Sequence, residues 1–141
     1  MYQTGLSSIA LIFVTIYVSA CSILSDADNQ LVMQEDLLTQ SVWQKTAFND
    51  AYNGEWIDVE QGKIYEFFED HRFKTEIING CCTEKGSWQI TEGGTQLELA
   101  IEDDSISYVI DFEIRDLSDS VLAIAWMGRH GPVIERYEPK D

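Results

Sequence analysis

From Trp43 onward, apolar side chains recur at every second position, with turn-forming residues between the runs. Trp88 and Ile90, then Leu97, Leu99 and Ile101, then Ile106, Tyr108, Ile110, Phe112 and Ile114, then Leu122, Ile124 and Trp126 alternate with polar residues such as Gln89, Glu98, Ser107, Asp111 and Glu113. A helix buries every third or fourth residue, so this period specifies strands with one dry face and one wet face. The connections Glu92-Gly93-Gly94-Thr95, Asp103-Asp104, Leu117-Ser118-Asp119 and Gly128-Arg129-His130-Gly131 are too short for crossovers. Successive strands are therefore antiparallel neighbours. Strands opening near Trp43, Lys63, Arg72, Gly86, Gln96, Ser105, Ser120 and Val133 number eight. Eight strands can close into an up-and-down barrel without exposed edges. The fold class is all-β.

Charge placement sets the register of one hairpin. A two-residue turn at Glu69-Asp70-His71 would pair Phe68 with Phe73 and turn Glu66 inward. A three-residue loop pairs Phe67 with Phe73, turning Tyr65, Phe67, Phe73, Thr75 and Ile77 inward and leaving Glu66, Lys74 and Glu76 in water. The second arrangement avoids an unpaired buried carboxylate and predicts a left-handed backbone at His71. In the last strand two parities are open: Val133, Glu135 and Tyr137 inward, or Ile134 and Arg136 inward. Ahead of the strands, Leu31, Leu38 and Val42 fall near one face of a short helix predicted over Leu31 to Val42.

The chain has 25 acidic and 9 basic residues, a formal net charge of −16. That charge opposes nucleic-acid binding and adsorption of the body to an anionic membrane. No charged residue precedes Asp26, and Ile9 to Val18 is apolar apart from Thr15, the pattern of a secretory signal. Val18-Ser19-Ala20-Cys21 resembles the bacterial lipobox. The resemblance implies a lipid-modified Cys21 that becomes the first mature residue. Residues 1–20 are then a lipoprotein signal peptide, 21–30 a lipidated solvated tether, and 31–141 the barrel domain. Ser22, where an aspartate would retain a lipoprotein at the inner membrane, favours the outer membrane. The same residues also allow an uncleaved anchor from about Leu6 to Leu24. Either way the domain is exported and tethered in the bacterial cell envelope.

Trp43, Tyr65-Glu66-Phe67 with Phe68-Glu69-Asp70-His71-Arg72-Phe73, Gly86-Ser87-Trp88, Leu97-Glu98-Leu99, and Tyr108 through Ile114 leading to Leu117 and Leu122 together resemble the small bacterial lipocalin-like lipoproteins. The resemblance covers nearly the whole mature chain. It implies a single lipocalin-like barrel holding a small hydrophobic ligand, with a long first loop over its mouth. The lining expected for that ligand is Tyr65, Phe67, Phe73, Trp88, Tyr108, Phe112 and Trp126, with Tyr52 and Trp56 in the lid loop from Asn49 to Gly62. Lipocalins stack an arginine from the last strand region on the first-strand tryptophan; Arg136 stands where it could stack on Trp43 or bind a ligand carboxylate. A second reading is open: those aromatics fill so small a barrel, which then serves as an envelope interaction module without a ligand.

No catalytic pattern assembles, so an enzyme is not expected. Gly-x-Ser-x-Gly, His-Glu-x-x-His and phosphate-cradling glycine loops are absent from the sequence. His71 and His130 both fall in predicted turns, and Glu102-Asp103-Asp104 reads as a solvated hairpin tip rather than a calcium loop. No cofactor or metal is expected. The adjacent Cys81 and Cys82 allow a vicinal disulfide, free thiols or intermolecular pairing. No particular protein partner is legible.

Overall fold

The computed structural model describes residues 26–50, 54–77, 82–102 and 106–141. A helix spans 26–39 and leads into nine strands: β1 (Val42–Asp50), β2 (Trp56–Asp58), β3 (Ile64–Phe67), β4 (Arg72–Ile77), β5 (Cys82–Thr91), β6 (Gln96–Glu102), β7 (Ser107–Leu117), β8 (Leu122–Gly128) and β9 (Gly131–Pro139). All pairings are antiparallel, and β1 also pairs with β9, so eight strands close into a barrel. The ninth, β2, is the departure from the predicted eight. It lies within the long first connection and pairs Ala47, Phe48 and Asn49 of β1 with Asp58, Ile57 and Trp56.

The hairpin register follows the charge argument. Phe67 pairs with Phe73, and Tyr65 with Thr75. Glu66 and Lys74 form a 2.8 Å ion pair on the outer face. His71 takes φ 61°, the left-handed conformation this loop requires. The last strand takes the first parity: a two-residue turn at Arg129-His130 pairs Gly128 with Gly131, and this places Glu135 opposite Ile124 and Tyr137 opposite Leu122. Partners in register share a face, so Glu135 and Tyr137 point inward with those buried residues.

The helix is longer than predicted and starts earlier. Residues 26–30, read as a solvated tether, are helical and exposed, whereas Val42 belongs to β1. Leu38 is fully buried in the core, and the Trp43 indole donates to its carbonyl at 2.8 Å. One otherwise orphaned carbonyl at the helix C-terminus is thereby satisfied. Gln34 donates to the Gly94 carbonyl at 3.1 Å, docking the helix on the turn between β5 and β6. Gly94 has φ 94°, a left-handed backbone that glycine adopts without steric cost, and the flexible end of Gln34 packs against it. The helix therefore covers the end of the barrel that carries the β3–β4, β5–β6 and β7–β8 turns, termed the lower end.

Candidate functional site

Along the barrel axis the interior changes character. Towards the lower end Leu38, Trp43, Phe67, Phe73, Trp88, Leu97, Phe112 and Leu122 are buried as one packed cluster. Phe67 meets Trp88 edge-on at 5.9 Å, an arrangement that aromatic quadrupoles favour, and Tyr65 stacks on Phe67 at 5.5 Å. Tyr65 and Tyr137, with centroids 5.4 Å apart, bring two phenols into the middle of the barrel.

Beside those phenols four inward positions are charged, among buried neighbours such as Ile124 opposite Glu135 and Thr75 opposite Glu84. Lys45 meets Glu135 at 2.7 Å across the β1–β9 seam, and the other oxygen of Glu135 accepts from Tyr137 at 2.6 Å. Lys63 meets Glu84 at 3.3 Å and lies 4.8 Å over the Tyr65 ring, while the Tyr108 hydroxyl donates to Glu84 at 3.0 Å. Among the described residues, these two cations and two carboxylates form a layer linked through tyrosines. Burial pushes the Glu135 carboxyl up, but hydrogen bonds from Lys45 and Tyr137 outweigh it and hold the group below the usual carboxylate range. Burial likewise pushes the Lys63 ammonium down, and Tyr65 and Glu84 reverse that to leave it raised. Burial drives Tyr65 up, and Tyr137 well above the ordinary phenol value.

Beyond this layer, at the upper end, inward-facing apolar residues become half exposed. Ile77 and Trp126 are each 39% exposed and Tyr108 is 42% exposed. Ile57, also 39% exposed, joins them because it pairs with the inward Phe48. A depression of about 380 Å³ at this end is lined by Cys82, Thr83, Glu84, Lys85, Ile101, Glu102 and Tyr108. Its volume is in the range of small-molecule pockets.

Comparison with known proteins agrees with this topology. A lipocalin-like protein from Bacteroides uniformis superposes with a TM-score of 0.57 at 17% identity, over 73% of this chain and 99% of that one. An uncharacterized protein from Bacteroides eggerthii superposes at 0.56 with 12% identity, over 71% and 98%. The fold is lipocalin-like. No family model and no curated protein matches the sequence.

The lipocalin-like barrel divides the residues expected to line a ligand into three groups. Tyr65, Phe67, Phe73, Trp88 and Phe112 are inside and buried, packed against one another. Tyr108 and Trp126 face inward by register, yet lie at the rim and not in the core. Arg136 is a correction: it is on the outer face, exposed, with a 3.1 Å ion pair to Glu138, and neither stacks on Trp43 nor enters the barrel. The parity of β9 excludes it, because turning Tyr137 inward turns its neighbour out. Trp56, expected in the lid over the mouth, is a second correction: it is in β2, 51% exposed, and pairs with Asn49, one register step from the inward Phe48, so it faces outward. Tyr52, Cys21 and Cys81 lie outside the described residues.

Ile77 and Ile106, placed on the dry face by alternation, stand at the upper end and are exposed among the described residues. His71 and His130 occupy turns at opposite ends of the lipocalin-like barrel, and the His71 ring packs against Trp88 at 4.8 Å. The four charged residues of the interior layer are absent from the expected site. Each nevertheless carries a sequence mark: Lys45, Lys63, Glu84 and Glu135 stand two residues from Trp43, Tyr65, Gly86 and Tyr137, hence on the inward face.

Proposed function

We propose that this chain is an exported, membrane-tethered lipocalin-like lipoprotein that binds a small, largely hydrophobic ligand at the upper end of its barrel. The observation that carries the reading is the rim of inward-facing, half-exposed Ile57, Ile77, Tyr108 and Trp126. Inward apolar surface left in water is an unusual expense for a filled barrel and the ordinary lining of a binding mouth. The charged layer, backed by the buried aromatics, serves as the floor, so the apolar ligand-contacting residues are those of the rim. No catalysis and no resident cofactor form part of the proposal.

The proposed tether is a lipid on Cys21, placing the domain in the cell envelope at the outer membrane. The helix that follows the proposed attachment in sequence docks on the lower end, the end opposite the mouth. Labelling cells with a radioactive fatty acid tests the lipid: label should disappear in Cys21→Ser, and persistence would remove lipidation at that position.

Titration with a naphthyl fluorescence probe tests the ligand. Saturable micromolar binding is expected, weakened about tenfold in Trp126→Ala. A second reading, an envelope interaction module without a ligand, is favoured by the closely packed lower core. Failure of every apolar probe to bind would select it.

A further inference from the structure

Resting on that reading, the structure assigns a class of ligand: an amphiphile with a net-uncharged polar head, which enters head first. Glu84 and Tyr108 line the depression at this end, so an occupant there meets the layer of Lys45, Glu135, Lys63 and Glu84 at its Lys63–Glu84 side. A hydrocarbon end pressed there would strip water from two ion pairs and return no hydrogen bonds, which is unfavourable for groups already partly desolvated. A head carrying both donors and acceptors replaces that water.

Among the described residues the two ion pairs hold two positive and two negative groups, so a head with a net charge would bring one uncompensated charge against them. A zwitterionic or polyol head matches them. Between the two pairs, Lys63–Glu84 is longer, 3.3 Å against 2.7 Å, and its side chains are 25% and 29% exposed against 19% and 14%. It also adjoins Tyr108, whose hydroxyl already donates to Glu84 from the rim. The head therefore meets Lys63, Glu84 and Tyr108, and the tail rests against Ile57, Ile77 and Trp126.

Calorimetric titration of the domain with amphiphiles sharing one decyl tail tests this, each kept below its micellar concentration. Decyl glucoside and decylphosphocholine are the net-neutral probes; decanoate and decyltrimethylammonium are the charged ones. Both neutral probes should bind at least tenfold more tightly than either charged one. In a folded Lys63→Met/Glu84→Met double variant that preference should fall below about threefold. Equal or tighter binding of decanoate or decyltrimethylammonium to the unmodified domain would overturn the head assignment while leaving the binding function standing. Absence of binding by all four amphiphiles and by the naphthyl probe would overturn both.

Discussion

The ammonium of Lys45 and the carboxylate of Glu135 meet at 2.7 Å inside the barrel, across the seam where β1 and β9 close it. Closure of this fold thus places an ion pair beside its last set of backbone hydrogen bonds. Glu135→Ala leaves Lys45 without its carboxylate and Tyr137 without its acceptor, and should lower stability by about 2–4 kcal/mol. A Lys45→Met/Glu135→Leu double variant should recover most of that loss, because a packed apolar pair avoids the desolvation of both ions. Denaturant unfolding of the three proteins measures this; a double variant no better than the single would mean that the pair contributes more than mutual neutralisation.

Stability should fall at both extremes of pH. The Glu135 carboxyl is held below its unfolded value, so its contribution is present above the unfolded value and is lost as pH falls through the folded one. The Lys63 ammonium is held above its unfolded value, so its contribution is present below the unfolded value and is lost as pH rises through the folded one. The buried Tyr65 and Tyr137 phenols, both raised, steepen the alkaline limb. Thermal melts across pH should show a plateau near neutrality, and Glu135→Gln should flatten the acid limb alone. An unchanged acid limb would assign it to other carboxylates.

At His71 the backbone has φ 61°, which a β-branched residue tolerates poorly. His71→Val should destabilise the domain by about 1–2 kcal/mol. His71→Gly should stay within about 1 kcal/mol of the parent, since relief of the conformation offsets loss of the contact with Trp88. Chemical denaturation decides between them, and equal effects of the two substitutions would show that the side-chain contact dominates.

Leu38 and Arg136 separate a core residue from a surface one. Leu38 is fully buried where the helix covers the lower end, so Leu38→Ala should cost about 2–4 kcal/mol and loosen the helix, visible as faster amide exchange over 26–39. Arg136→Leu removes an exposed pair with Glu138 and should shift stability by under about 1 kcal/mol. A large loss in Arg136→Leu would restore a barrel-closing role for that arginine.

The sequence by itself determined that the chain is a barrel of antiparallel strands. Alternation of apolar and polar residues fixes which face of each strand is dry, and short turns fix which strands are neighbours. It also determined the β3–β4 register, because only one register keeps Glu66 beside Lys74 in water. What alternation cannot encode is position along the barrel axis. Ile77 and Phe73 share a face and an apolar character, yet one stands half exposed at the rim and the other is buried. The parity of β9, which turns Arg136 out and Glu135 in, waited on the length of the Arg129-His130 turn. The pairing of Lys45 with Glu135 joins residues 90 positions apart, and only closure brings them together. The local pattern sets each strand's two faces, whereas the height of a side chain in the barrel and its partner across the seam are non-local, so the tertiary structure alone decides the charged layer on which the proposed site is built.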